Sequence, residues 1–462
     1  MLKVFGQYFP SGALHQVAFD ALILFVAVVF AVLVETHGGD ADWRIVAPSA
    51  LTFTIFMIFL NSALGFYRVT PVGLSGRAVV ARLVVSLLVS IPLAWGVFSI
   101  LPWDYFASEA LQFSVVLLVV VVLLMRGVVS RHESRSVFAP RVLVIGTGPE
   151  AVEVQRSLGS SGRSGMEIVG FYAPGGEDCR AVSAAQVIEN DMGLLEAVRD
   201  ARVNDIIVAV RERRGGVLPI RELLDCKLRG VRVMDLSSFF ERVQGKVRID
   251  SLKASWLIYG DGFRQSLMRT FTKRCFDLAA SFLLLLPALP IMAVTSILIL
   301  LEDGGPVFYR QERVGRAGRV FRVIKFRSMR RDAESDGKPR WATSHDDRVT
   351  RVGRILRRLR IDELPQLLNV ISGEMSLVGP RPERPYFVDQ LSHQVPFYAV
   401  RHSVKPGVTG WAQVRYQYGA SIDEAIEKLQ YDLYYVKNHT LVLDTLVLFE
   451  TVRVVLTGEG AH

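Results

Sequence analysis

The chain has 462 residues, half of them hydrophobic, with a mean hydropathy of +0.31 and a formal charge of +9. That hydropathy argues against a wholly soluble protein, the length argues against a single domain, and the basic excess points to anionic partners such as nucleic acid, lipid headgroups or phosphorylated substrates. Three widely spaced cysteines, Cys179, Cys226 and Cys275, form neither a metal-ligand pattern nor a disulfide framework, which suits a reducing cytoplasm.

Four apolar runs fill the first 130 residues: Val17–Val34, Ile45–Tyr67, Val79–Leu101 and Phe106–Met125. Each approaches the ~20 residues a helix needs to cross the hydrocarbon core. A series of such runs is no cleavable signal peptide. Asp20 and Arg82 are expected near span ends, where a charge can reach the interface. Arg68 and Arg77 lie between the second and third spans, and Arg126, Arg131, Arg135 and Arg141 follow the fourth. The other two connections are acidic or nearly uncharged. The positive-inside rule therefore predicts a multi-pass membrane protein with the N-terminus, the middle loop and everything after the fourth span cytoplasmic.

From Arg141 the pattern changes. "RVLVIGTGPEAVEVQRSL" reads as strand, glycine turn and helix, and "MEIVGFYA", "DIIVAV" and "VRVMDL" as further buried strands, giving a doubly wound α/β domain to about residue 250. Gly146, Gly148 and Ala151 form G-x-G-x-x-A, which can place a phosphate on a helix N-terminus. No acidic residue ends the second strand to hold a ribose hydroxyl, so a degenerate structural or regulatory module is expected.

A fifth apolar run, Phe276–Leu301, contains Pro287 and Pro290, where a sharp bend is expected. A full crossing would export Arg310–Arg360, with 17 Lys/Arg against 6 Asp/Glu, against the charge rule. A re-entrant helix that enters and leaves by the cytoplasmic leaflet satisfies both constraints, with Lys273 and Arg274 at one end and Arg310 and Arg313 near the other. In "RVTRVGRILRRLR", Val349, Val352, Leu356 and Leu359 form one helical stripe, with Arg348, Arg351, Arg354 and Arg358 largely off it. Such a helix would lie among anionic headgroups.

The segments "KRCFDL", "GGPVFYRQERVGRAG", "FRVIKFRSM", "TRVGRILRRLRIDELPQLLNVISGEMSLVGPRPERP" and "KPGVTGWAQV" closely resemble the bacterial sugar transferases, the monotopic phosphoglycosyl transferases. The resemblance runs from Lys273 to the C-terminus. Four spans and a Rossmann-like domain before it look like the large members, and "RYQYGAS" and "KLQYDLYYVKN" look like the exopolysaccharide and exosortase-associated subgroup. The resemblance implies transfer of a sugar 1-phosphate from a UDP-sugar to undecaprenyl phosphate, with release of UMP. It also implies Asp362 as nucleophile through a covalent aspartyl intermediate, and Mg²⁺ at Asp362 and Glu363. The family often has Ser-Pro at the membrane helix break, where this chain has Leu289-Pro290. The expected fold is membrane α plus α/β: a four-helix transmembrane region over 1–135, a Rossmann-like domain over 136–255, a linker over 256–272, and a catalytic domain over 273–462 with a re-entrant helix at 276–301.

The residues make chemical sense in those roles. A carboxylate can form an acyl phosphate and split one transfer into two steps, so a soluble donor and a lipid acceptor need not be bound together. Preceding arginines would concentrate anionic substrate and keep the pair ionised. Pro365 is expected to begin the next helix. Arg381 and Arg384, in a proline-stiffened loop, suit bidentate phosphate binding. Lys325 and Arg327 alternate along an expected strand and would face one side as phosphate or uridine ligands, with Arg401 and Arg415 as weaker candidates. His345, His393, His402 and His439 have no ligand spacing. The partners expected are a UDP-sugar, undecaprenyl phosphate and membrane lipids, with no nucleic acid; the middle domain could support a homodimer. Two other readings stay open: a nucleotide-sugar dehydratase or oxidoreductase built on the Rossmann-like domain, and a non-enzymatic membrane scaffold.

Overall fold

The computed structural model describes residues 2–4, 7–9, 11–35, 43–63, 86, 90, 140–159, 166–173, 181–183, 186–188, 193–210, 218–249, 266–331, 333, 347–416 and 421–457. Two compact units divide it, one almost wholly N-terminal to Phe240 and one from Phe240 onward.

The first unit contains helices α1 (Ser11–Glu35) and α2 (Trp43–Ala63). Leu24, Val28, Ala50, Phe53 and Met57 are buried, whereas Phe19, Leu22, Phe30, Ile55 and Phe59 are exposed. Asp20, near the start of the apolar run carried by α1, is buried. The third and fourth expected spans, with Arg82, fall outside the described residues apart from Ser86 and Ser90.

The middle region forms strands β1 (Arg141–Ile145), β2 (Glu167–Tyr172), β3 (Val187–Ile188), β4 (Asp205–Val208) and β5 (Arg232–Asp235). Between them run helices α3 (Pro149–Gly159), α4 (Leu194–Asp200) and α5 (Ile220–Leu228), and α6 (Leu236–Gln244) follows β5. All neighbouring strands pair in parallel, in the order β3-β2-β1-β4-β5. That order reverses between β1 and β4, as in doubly wound folds. The four residues of β4 and the last four of β1 are buried, which is why both read as continuous apolar runs. The two-residue β3 carried no sequence signal. At the β1 turn Gly146 has φ +116°, and a Cβ there would meet the Ala209 carbonyl at 2.7 Å. Beside it the Thr147 carbonyl accepts the Ala181 N–H.

The second unit is organised on α7 (Leu267–Asp303), which starts at a Ser266 cap and stops at Gly304, φ +64°. Among the described residues this is the one helix long and apolar enough to cross a membrane. Pro287 and Pro290 both lie inside it. Its outward face exposes Leu283, Leu286, Leu289, Val294, Ile297 and Leu301, while Ala288, Met292 and Ile299 join the core.

Strands β6 (Phe308–Val314) and β7 (Val320–Phe326) form an antiparallel hairpin, and α8 (Arg351–Arg358) follows a Thr350 cap. Val349 lies before that cap, bridged to Met329, and Val352 and Leu356 pack into the core. The apolar stripe expected to face lipid therefore turns inward in large part. Gly353 permits this, since a Cβ there would lie 2.0 Å from the Ser328 carbonyl oxygen.

A 3-10 turn (Ile361–Glu363) leads to α9 (Gln366–Ser372), with Pro365 at its N-cap. Then come β8 (Ser376–Val378), α10 (Pro385–Gln394), β9 (Gly407–Thr409), α11 (Trp411–Arg415), α12 (Ile422–Asn438) and α13 (Leu441–Thr457). Strands β8 and β9 pair in parallel.

Candidate active site

Arg360 adopts left-handed backbone, φ +56°, and swings the chain from α8 into the turn that carries Asp362 and Glu363. The two adjacent carboxylates then meet opposite surroundings. Glu363 is buried, and its Oε1 accepts from Lys325 Nζ at 3.1 Å and from Arg381 Nη2 at 2.9 Å. Arg360 Nη1 lies 3.7 Å from Oε2. Asp362 is half-buried and has no hydrogen bond or ion pair among the described residues. Its field comes from Glu363 and from Lys325, Arg357 and Arg381.

These surroundings separate the two acids. Burial pushes the Glu363 carboxyl up, but Lys325, Arg381 and Arg360 outweigh it and hold the group well below the usual carboxylate range. Burial and the Glu363 charge raise Asp362, with Lys325, Arg357 and Arg381 only partly opposing them. The nearby arginines were expected to keep both carboxylates ionised; they do so for Glu363, while Asp362 is displaced toward its protonated form. Adjacent acids split in this way commonly take different roles.

The other expected residues divide into two groups. Lys325 and Arg381 meet at Glu363. Arg327 lies beyond the end of β7 and does not join them: it donates to the Asp303 and Gly304 carbonyls and pairs with the Asp303 carboxylate at 3.4 Å, closing the C-terminal end of α7. Arg401 is buried, pairs with Asp432 at 2.8 Å and donates to the Arg381 carbonyl at 3.0 Å, so it holds the Arg381 backbone. Arg384 is the N-cap residue of α10, and the Arg415 guanidinium lies 4.2 Å from the Trp411 ring centroid. His402 is half-buried and His439 buried; burial, with Arg401 beside the first and Arg269 beside the second, pushes each down to about 4. His393 is exposed, and His345 lies outside the described residues.

Three contributors were not singled out beforehand. Arg360 and Arg357 lie in the arginine run that was expected, as a whole and not residue by residue, to concentrate anionic substrate and keep the pair ionised; Arg357 donates to Ser328 Oγ at 3.0 Å. Asn369 has a short polar side chain in an apolar helix, a faint signal of a buried hydrogen-bonding role.

The framework is tied to the base of α7. Arg274 donates to the carbonyls of Val370 (2.6 Å) and Ile371 (2.8 Å), capping the C-terminal end of α9. Lys273 bridges Asp277 (2.8 Å) and Asp444 (2.9 Å), joining α7 to α13. At the other end of α7, Glu302 accepts the backbone N–H groups of Arg351 and Val352.

Sequence comparisons agree with this organisation. The family described as bacterial sugar transferase matches residues 268–458. The UDP-N-acetylgalactosamine-undecaprenyl-phosphate N-acetylgalactosaminephosphotransferase of Aeromonas hydrophila is 45% identical over 242 residues, which are 52% of this chain and 56% of that protein. The undecaprenyl-phosphate glucose phosphotransferase of Komagataeibacter xylinus is 45% identical over 186 residues, 39% of this chain and 35% of that protein. The match thus spans about half or less of those two relatives. The UDP-glucose:undecaprenyl-phosphate glucose-1-phosphate transferase of Xanthomonas campestris pv. campestris is 30% identical over 352 residues, 73% of this chain and 71% of that protein. The chain belongs to the bacterial sugar transferase family.

Proposed function

We propose that the protein transfers a sugar 1-phosphate from a UDP-sugar to undecaprenyl phosphate, releasing UMP and forming the polyprenyl-diphospho-sugar that starts exopolysaccharide synthesis. The observation that carries this reading is the contrast within the acidic pair: Glu363 is locked among three cations, while the adjacent Asp362 carboxylate is without a partner among the described residues. A nucleophile has to be left free, and its neighbour's cations supply the field that an incoming diphosphate needs.

In the first step an Asp362 carboxylate oxygen attacks the phosphorus that bears the sugar. A new O–P bond forms, the P–O bond to the nucleotide phosphate breaks, and UMP leaves with that electron pair. In the second, an oxygen of undecaprenyl phosphate attacks the same phosphorus, the bond to Asp362 breaks, and the carboxylate is regenerated. Lys325, Arg381 and Arg384 bind the donor's phosphates. Arg401 contributes by fixing the Arg381 backbone.

Mg²⁺ fits this donor set. It takes one or two carboxylates and completes its shell with substrate phosphate oxygens and water. Asp362 and the loosely paired Oε2 of Glu363 offer that arrangement, and among the described residues no group of three or more acidic, histidine or cysteine ligands occurs. Bound there, Mg²⁺ would neutralise charge on the diphosphate.

We further place the second unit on the cytoplasmic face, with α7 entering and leaving the same leaflet. Both ends of α7 support this: Arg274 and Glu302 bind the same compact unit. A straight helix between them would extend about 40 Å, longer than the hydrocarbon core. A crossing would put those two attachments on opposite sides of the membrane.

The test is to incubate membranes holding the full chain with UDP-sugars, Mg²⁺ and undecaprenyl phosphate, then follow UMP and look for a phosphosugar on Asp362 by mass spectrometry. UMP release that survives Asp362→Asn at the wild-type rate would remove the nucleophile assignment.

A further inference from the structure

The geometry points to Asn369 as a positioning residue: its carboxamide splices α9 to β7 and so sets Lys325 against Glu363. This rests on the proposed phosphosugar transfer.

Asn369 is 1% exposed, and every polar atom of its side chain is used. Nδ2 donates to the Arg322 carbonyl at 2.9 Å and to Glu374 Oε2 at 2.7 Å, and Oδ1 accepts the Ile324 N–H at 3.0 Å. The carboxamide therefore pairs with β7 much as a neighbouring strand would, reading backbone on both sides of Val323. The residue after Ile324 is Lys325, whose ammonium reaches Glu363. On the other side of the splice, α9 begins three residues after Glu363. The pair thus has two supports: the covalent path through α9, and the noncovalent path through Asn369 and β7. Glu374 anchors the carboxamide from behind and is itself held by Ser372 Oγ at 3.3 Å.

An ordinary packing role would be served by Leu or Met at this site. A buried donor and acceptor that meet one strand's backbone in register fix its position along its own axis, which apolar contact does not. The position matters because a shift of ~1 Å at a reacting centre can cost about 100-fold in rate.

The experiment uses the full chain in membranes, with Asn369→Asp, Asn369→Ala and, as a control, Val370→Ala. Asn369→Asp keeps the size but sets an oxygen against the Arg322 carbonyl and Glu374. Val370 is fully buried on the same helix, and its truncation loosens the core shared with β7 while leaving the Asn369 carboxamide in place. Two readouts are compared at matched melting temperature. Both Asn369 variants should lower kcat by about 100-fold with KM for the UDP-sugar little changed. They should also raise acetylation of Lys325 by acetic anhydride several-fold. Val370→Ala should do neither. Wild-type kcat and Lys325 reactivity in both Asn369 variants would overturn the inference, as would equal changes in Val370→Ala. A wild-type chain that releases no UMP would overturn the proposed function, and the Lys325 acetylation comparison would then decide the role of Asn369 by itself.

Discussion

Lys325 and Glu363 stand 38 residues apart in the chain and meet in a 3.1 Å ion pair, the lysine from the end of a strand and the glutamate from a 3-10 turn. Arg381 and Arg360 complete the ring of cations around the glutamate. One carboxylate of an adjacent pair therefore takes most of the available positive charge, and the other stays reactive. The consequences can be measured.

Asp362→Asn should lower UMP release on the order of 10³-fold or more, the scale of a lost nucleophile. It should also raise thermal stability at neutral pH. The folded-state pKa of Asp362 is raised, so its ionised form opposes folding once the pH passes the unfolded value near 4, and a neutral amide removes that opposition. Melting temperatures of the wild type and variant at pH 7 check this, with a gain of about 2 °C expected.

Glu363→Gln should behave oppositely. The depressed pKa of Glu363 contributes stability that is present above the unfolded value of about 4.3 and is lost as pH falls below it. The variant should therefore be less stable than wild type at pH 7, and the gap should close progressively as the pH drops below about 4. Thermal melts across pH 3–8 follow the difference.

Arg381→Met leaves Glu363 short of its nearest cation, at an expected cost of about 2 kcal/mol because Lys325 and Arg360 remain. In a double-mutant cycle Glu363→Gln should recover much of that cost, giving a coupling energy of about 1 kcal/mol or more. Additive losses would mean that Arg381 and Glu363 are energetically independent.

Gly353→Ala should be destabilising by about 2 kcal/mol. A Cβ there would lie 2.0 Å from the Ser328 carbonyl oxygen, so α8 would have to lift from that segment and Arg357 from Ser328 Oγ. Denaturation would register the loss of stability, and a fall in kcat beyond that of an equally destabilised Val370→Ala control would register the displacement of Arg357 from Asp362.

Asp432→Asn uncouples the buried Arg401 that holds the Arg381 backbone. Loss of one partner from a buried pair costs about 3–5 kcal/mol, and Asp432→Asn with Arg401→Met should be more stable than Asp432→Asn alone. Equal melting temperatures for the single and double variants would show that the pair is not stabilised by its mutual charge.

Local order was legible in the residues. The β1 and β4 runs, the G-x-G turn, the apolar length of α7 and the acidic pair before Pro365 follow from side-chain period, backbone freedom and composition, which act over a few residues. Tertiary structure decided the partners. Lys325 and Arg327 look equivalent two positions apart, yet the strand ends at Phe326, so one reaches Glu363 and the other closes α7. The stripe on α8 was visible, but its side was not, because Gly353 lets the helix press on Ser328 and turns Val352 and Leu356 inward. Electrostatic energy depends on distance and burial, and residues 18 or 38 positions apart acquire a distance only when the backbone has folded.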